Sequence, residues 1–249
     1  ERAPAASRSR FRLVAVEIFW TTLAYSVLMP FPSLAGRADS ELPGGPGVLP
    51  VLLVHGYLCN RGIWAGMRRF LEKNGMPTYT HDLEPVYAGI DDYLPALAAR
   101  IEDVCAKSGA RQLVIVAHSM GGLAARAYLR AHGPARVAAL VTLGTPHHGT
   151  RTAAFAQGEN ARQMRPGSAW LEDLARAESV AAETVPVTSI YTEDENVVVP
   201  AGSAVLGWGR NVRLSGMGHV SLAFSGQVRK LVLESVREVR AAEAGNVSV

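Results

Sequence analysis

The sequence predicts an α/β fold, a mostly parallel central sheet with helices on both faces, preceded by an apolar N-terminal helix. Three observations predict it. Short runs such as Leu113 to Ala117 are apolar at every position, and Val137 to Leu143 at every position but Thr142; a strand covered on only one face would instead alternate. These runs alternate with longer segments whose apolar residues recur at helical spacing, and a parallel strand needs such a crossover to return. Finally, 249 residues with 48% hydrophobic and 19% charged side chains, 24 Gly and 14 Pro supply a large core and many turns. That balance excludes a disordered, collagen-like or coiled-coil chain.

The elements follow in order. Residues 13–29 form a 17-residue apolar run behind Arg8, Arg10 and Arg12 and ahead of Pro30 and Pro32. As a helix the run spans about 25 Å, short of the ~30 Å hydrocarbon core, and Glu17 is costly at mid-membrane. Three readings stand: a membrane anchor or interfacial helix with Trp20 and Tyr25 at headgroup level, a signal with a small-residue site at Ser33-Leu34-Ala35, and a helix docked on the domain. The first two imply a membrane-associated or exported (secreted or periplasmic) protein. The formal net charge of +3 resides wholly in Glu1, Arg2, Arg8, Arg10 and Arg12, so residues 13–249 balance. A nucleic-acid partner, which calls for a basic stripe on the folded domain, is therefore excluded.

Residues 1–36 thus form a basic arm and apolar helix, 37–49 a linker rich in Gly and Pro, and 50–249 the main domain. Within it Val48 to His55 reads as a strand, Ile63 to Asn74 as a helix and Thr78 to Asp82 as a strand. Asp91 to Ser108 is a helix, Leu113 to Ala117 a strand, Gly121 to Arg130 a helix and Val137 to Leu143 a strand. Val187 to Tyr191 and Asn211 to Leu214 are the last strands, and Gly226 to Ala242 closes the chain as a helix. Cys59 and Cys105 are too few for a disulfide scaffold or a cysteine-rich zinc site, and whether they pair is open.

The strongest local signal is Val114-Ile115-Val116-Ala117-His118-Ser119-Met120-Gly121-Gly122-Leu123, a buried strand breaking through small residues into a helix. A serine on so tight a turn is held strained and exposed at the strand end, with small residues two positions before and after it because strand and helix crowd the turn. Ala117 stands where G-x-S-x-G has its first glycine. Serine needs a base to take its proton, and the base needs a carboxylate to fix its tautomer. Chain order in such sites is serine, acid, histidine. Of the seven histidines only His219, in the Gly-rich Ser215-Gly216-Met217-Gly218-His219-Val220, lies downstream of every candidate acid.

With Ala-His-Ser-Met-Gly-Gly as its elbow, the chain resembles bacterial serine lipases and esterases of the α/β-hydrolase fold, from about Pro50 to Phe224. Pro50-Val51-Leu52-Leu53-Val54-His55-Gly56-Tyr57 is similar to the family's oxyanion strand and loop, and by that resemblance Tyr57 and Met120 donate the two backbone N–H groups. Leu143-Gly144-Thr145-Pro146-His147-His148-Gly149 also resembles a family segment, in which His147 and His148 are structural or line the substrate. Related lipases place the acid four positions after the tyrosine that ends a strand. Counting from Tyr191, that position is Glu195, with Asp194 the runner-up one residue early. Asn160 to Leu171 resembles a family stretch that forms either a small cap or a packed connection.

The resemblance implies a serine carboxylic-ester hydrolase, foremost a lipase on long-chain acyl esters, needing no cofactor or metal. Its partners would be a lipid or ester substrate and a membrane surface met through the N-terminal segment. A short-chain esterase, a membrane acyltransferase and a non-catalytic binding module on the same fold are the rival readings. Oligomeric state has no sequence signature here.

Overall fold

The computed structural model describes residues 5–31, 39–45, 47–181 and 185–246. Six strands, β1 (Val51–Val54), β2 (Thr78–His81), β3 (Leu113–His118), β4 (Val137–Leu143), β5 (Val187–Thr192) and β6 (Arg210–Leu214), pair in the order β2-β1-β3-β4-β5-β6. Every pairing is parallel. The helices are α1 (Ala5–Leu23), α2 (Ala65–Lys73), α3 (Leu94–Ser108), α4 (Met120–His132), α5 (Glu159–Gln163), α6 (Ala169–Ala181), α7 (Ser221–Phe224) and α8 (Gly226–Asn246).

The pleat explains why the central strands β1, β3 and β4 are apolar almost throughout. Leu52, Val54, Ile115, Ala117 and Leu140 face a core shared with α3, α4 and α6. Their neighbours Val51, Leu53, Val114, Val116 and Val141 face a second core with α2, α7 and α8. Both faces are sealed, so neither tolerates a polar alternation. The first strand is shorter than expected. Pro50 offers no N–H to the ladder, and Val48 closes a turn onto Gly45 instead.

The topology positions the site. From β1 the chain runs outward to β2 at one edge, then crosses back to β3 and proceeds the other way through β4, β5 and β6. Such a reversal opens a crevice at the carboxyl ends of the two strands flanking it, here β1 and β3. Ser119 follows β3 directly, and Tyr57 follows β1.

The N-terminal segment is docked on the domain. Helix α1 continues through a π-helical turn at Ala24–Leu28. Trp20 stacks on Phe224 with centroids 4.7 Å apart, Ala24 is fully buried, and the Met29 carbonyl accepts from Asn60 Nδ2 at 2.9 Å. Trp20, expected at headgroup level, therefore faces the protein, while the Tyr25 hydroxyl meets Cys59 Sγ at 3.6 Å. Ser33-Leu34-Ala35 lies outside the described residues. Beyond it Asp39 binds Arg100 and Lys107 on α3, strapping the 37–49 segment to that helix. Cys59 and Cys105 are unpaired.

Candidate active site

Ser119 sits at φ 56°, ψ −129°, in the left-handed half of backbone space that an L-residue adopts only when its surroundings enforce it. The surroundings are specific. Its N–H donates to the Leu143 carbonyl at 2.9 Å, extending the β3–β4 ladder, and its carbonyl accepts from Thr145 Oγ1 at 2.9 Å. Helix α4 leaves the turn so close to β1 that a Cβ at Gly121 would stand 2.4 Å from the His55 carbonyl oxygen. Glycine there is a steric requirement.

The oxyanion side is built from β1. His55 Nε2 accepts from the Leu83 N–H at 2.9 Å, so its Nδ1 carries the proton and donates to the Gly56 carbonyl at 2.8 Å. That bond fixes the Gly56–Tyr57 peptide plane and hence the Tyr57 N–H. A Cβ at Gly56 would meet Ser119 Cβ at 2.7 Å and Oγ at 3.3 Å, so this peptide passes directly beside the Ser119 hydroxyl. Met120 opens α4, where the first N–H groups have no acceptor within the helix. The Tyr57 ring is held by its hydroxyl donating to the Gln157 carbonyl at 2.8 Å.

His219 Nδ1 lies 2.9 and 3.1 Å from the two carboxylate oxygens of Glu195, whose side chain is fully buried. A carboxylate only accepts, so Nδ1 carries the proton and the Nε2 lone pair is left bare, the tautomer a general base needs. Glu195 Oε2 also accepts from Val198 N–H at 3.0 Å, which holds the charge in place. Gly144, at φ +56°, runs beneath this pair. A Cβ there would come within 3.0 Å of Glu195 Oε1 and 3.1 Å of His219 Nδ1.

Asp194 is directed elsewhere: its Oδ2 accepts from Gly216 N–H at 2.6 Å and braces the loop that carries His219. Glu193 pairs with Arg213 at the surface. The histidines that follow β4 are structural. His147 is buried against Arg126, whose guanidinium donates to its Nδ1 at 3.1 Å, and Thr142; burial and Arg126 hold it well below its ordinary pKa. His148 bonds the Val205 carbonyl. The 151–181 segment is a short turn, α5 and α6, with Leu171 and Leu174 packed in the core; α6 is a connection, and among the described residues Phe155 is the large hydrophobic of this segment that stands far out of the surface.

Two contributors had no visible sequence signal. Asn196 Oδ1 accepts from His219 N–H at 2.9 Å. His118, adjacent to the serine in the chain, donates from Nε2 to the His219 carbonyl at 3.2 Å. Its ring lies 4.6 Å from that of His219. Burial, with His219 nearby, pushes His118 down to about 3, so it stays neutral beside His219. Among the described residues no group of three or more His, Cys, Asp or Glu converges as a metal site.

A strained serine between a parallel strand and a helix, with a histidine and carboxylate brought in by later strands, defines the α/β-hydrolase class of fold. The alpha/beta hydrolase fold family matches residues 50–177, just over half of the chain, and the protein belongs to it. A triacylglycerol lipase of Burkholderia plantarii is 30% identical over 166 residues, 59% of this chain and 44% of that protein. Another, of Pseudarthrobacter phenanthrenivorans, is 34% identical over 116 residues, 43% of this chain and 36% of that one. The chain thus spans less than half the length of these curated relatives. A Bacillus licheniformis lipase in its mature form shares the fold with a TM-score of 0.67 at 19% identity, over 79% of this chain and 94% of that one.

Proposed function

We propose that the protein is a serine carboxylic-ester hydrolase acting on lipid esters, with Ser119 as nucleophile, His219 as base, Glu195 as acid, and the Tyr57 and Met120 N–H groups as oxyanion donors. The observation that carries the reading is the Glu195–His219 contact, because a buried carboxylate on Nδ1 leaves Nε2 the proton acceptor. Ser119 Oγ attacks the ester carbonyl carbon while Nε2 takes its proton. The negative charge that develops on the carbonyl oxygen meets the two N–H groups; one such donor contributes about 3 to 4 kcal/mol to the transition state in comparable sites. Collapse expels the alcohol, which receives the proton from Nε2, and leaves an acyl-serine. Water then attacks with His219 again as base, the Ser119–acyl bond breaks as Nε2 returns the proton to Ser119 Oγ, and the fatty acid departs.

Lipid as the substrate class is supported by where apolar side chains face solvent. The large exposed hydrophobics among the described residues fall in two places. Leu58, Tyr87, Phe155 and Val197 lie on loops at the carboxyl ends of the strands, around the crevice. Phe11, Val14, Ile18, Phe19, Tyr25, Val27 and Phe31 lie on the N-terminal segment, which is long and apolar enough to reach across a membrane. That segment docks on loops at the same edge of the sheet, so we read it as lying on a lipid surface with its outer face down. The triacylglycerol lipase names of the two relatives agree with this reading.

The test is hydrolysis of p-nitrophenyl esters from acetyl to palmitoyl by the full chain, with Ser119→Ala beside it. Activity on long chains that disappears in the variant, with fluorophosphonate labelling of the unaltered protein alone, is expected. Activity confined to short chains makes it an esterase, and equal activity in both proteins refutes the serine mechanism.

A further inference from the structure

We propose that Glu17, on the N-terminal helix, is a positioning residue that holds the loop bearing His219; this rests on the reading of His219 as the base. Glu17 is 6% exposed in the middle of an otherwise apolar run. Its Oε1 accepts from the Val220 N–H at 2.7 Å, and its Oε2 accepts from the Ser221 N–H at 3.1 Å and Ser221 Oγ at 2.5 Å. A buried carboxylate is tolerated only where donors replace its water, and here every donor comes from the two residues that follow the base.

A second observation comes from the other side of His219. A Cβ at Gly218 would lie 2.5 Å from Glu17 Cδ and 2.6 Å from its Oε2, so the residue before the base must be glycine for the carboxylate to enter. The Gly-rich loop carries little conformational restraint of its own. It is tied instead at successive points. Asp194 takes the Gly216 N–H, Thr192 donates to the Met217 carbonyl, and Asn196 and His118 hold the two ends of His219 itself. Those ties come from the hydrolase domain, whereas Glu17 reaches the loop from a point 203 residues earlier in the chain. Without it, the segment just after the base loses two backbone bonds and the Ser221 hydroxyl bond. His219 then keeps its own two ties while the segment that follows it is released, and the N-terminal helix is accordingly part of the active-site scaffold.

The experiment uses the full chain and a soluble ester, p-nitrophenyl butyrate, with kcat counted per fluorophosphonate-titrated site so that unfolded protein does not enter. Glu17→Ala should lower kcat about tenfold or more, the scale of effect that a small misplacement of a catalytic group produces, with KM changed less than about twofold. Glu17→Gln, which retains one acceptor oxygen, should recover part of the loss. Ser221→Ala, which removes one donor and leaves the helix intact, should lower kcat by a smaller factor with KM again held, and it serves where Glu17→Ala does not fold. An unchanged kcat in the folded Glu17 and Ser221 variants, or a loss confined to KM, overturns the inference. Ser119→Ala separates the two readings. If it is inactive while Glu17→Ala is fully active, only the role of Glu17 falls; if it remains active, the serine mechanism falls as well.

Discussion

Of the Glu-Asp-Glu run at 193–195, each carboxylate has its own partner, and Glu195 is the one that meets His219. The shorter Asp194 cannot serve both His219 and the Gly216 N–H, and it is committed to the latter. Substituting Glu195 by Gln makes a specific prediction, because Oε2 accepts from Val198 N–H. The amide oxygen will occupy that position and turn the NH₂ toward His219 Nδ1. Nδ1 must then accept, the proton moves to Nε2, and the base faces the serine in the wrong tautomer. Glu195→Gln should lower kcat about 10³- to 10⁴-fold, whereas Asp194→Asn, which keeps an acceptor for Gly216, should stay within about threefold. Steady-state kinetics on p-nitrophenyl butyrate decides; a larger loss in the Asn variant would reassign the acid.

Elements of the sheet were legible because a parallel strand covered on both faces leaves an unbroken apolar run, and β3, β4 and the elbow of α4 are read directly from it. The family resemblance, counted from Tyr191, pointed to Glu195 ahead of Asp194, and it is Glu195 that meets His219 while Asp194 meets the Gly216 N–H. Glu17 was not legible. A lone carboxylate in an apolar run signals a cost, and periodicity along one helix cannot reveal donors that lie 203 and 204 residues away. For the same reason the chain carries no sequence signal for the contacts that His118 and Asn196 make with His219. The elbow itself yields a test at this scale. Gly121 is where α4 rests on β1, and Ala there would push against the His55 and Val54 carbonyl oxygens at 2.4 and 2.7 Å. Backbone is not a flexible neighbour, so Gly121→Ala should destabilise the fold by about 1–3 kcal/mol. Urea unfolding of variant and parent measures it, and a change under about 0.5 kcal/mol would mean that α4 has room to shift.

Two properties belong to the whole molecule. The first is its response to acid. His118 is held down to about 3 and His81 to about 4, in both cases first by burial, and His147 is also lowered well below 6.5. A histidine neutral in the fold stabilises it above the ordinary pKa of 6.5. That stability is lost as pH falls from there toward 3 or 4, because the unfolded chain binds protons that the folded one refuses. At about pH 5 His118 alone accounts for about 2 kcal/mol. Unfolding free energy measured by urea should therefore drop steadily between about pH 7 and pH 5, and a flat profile would contradict the burial of these rings. The second is the attachment to lipid proposed above. Helix α1 turns Glu17 and Trp20 inward, and it sends out Phe11, 78% exposed, and Ile18, 61% exposed, with Val14 on the same face. Arg10 and Arg12 are exposed near its start, suited to anionic headgroups. A spanning helix would strip Glu17 of its three donors and leave the carboxylate in hydrocarbon, so docking on the domain and lying flat on the surface is the arrangement consistent with both faces. Sedimentation with phosphatidylglycerol vesicles should bring the protein down, less so as salt screens the arginines. Ile18→Asp removes an apolar contribution of about 1.5–3 kcal/mol and should weaken binding at least about tenfold. Hydrolysis of a soluble ester should not change, since Ile18 points away from the domain. Vesicle binding that survives Ile18→Asp undiminished would put the lipid-facing surface elsewhere, at the crevice rim of Leu58, Tyr87 and Phe155.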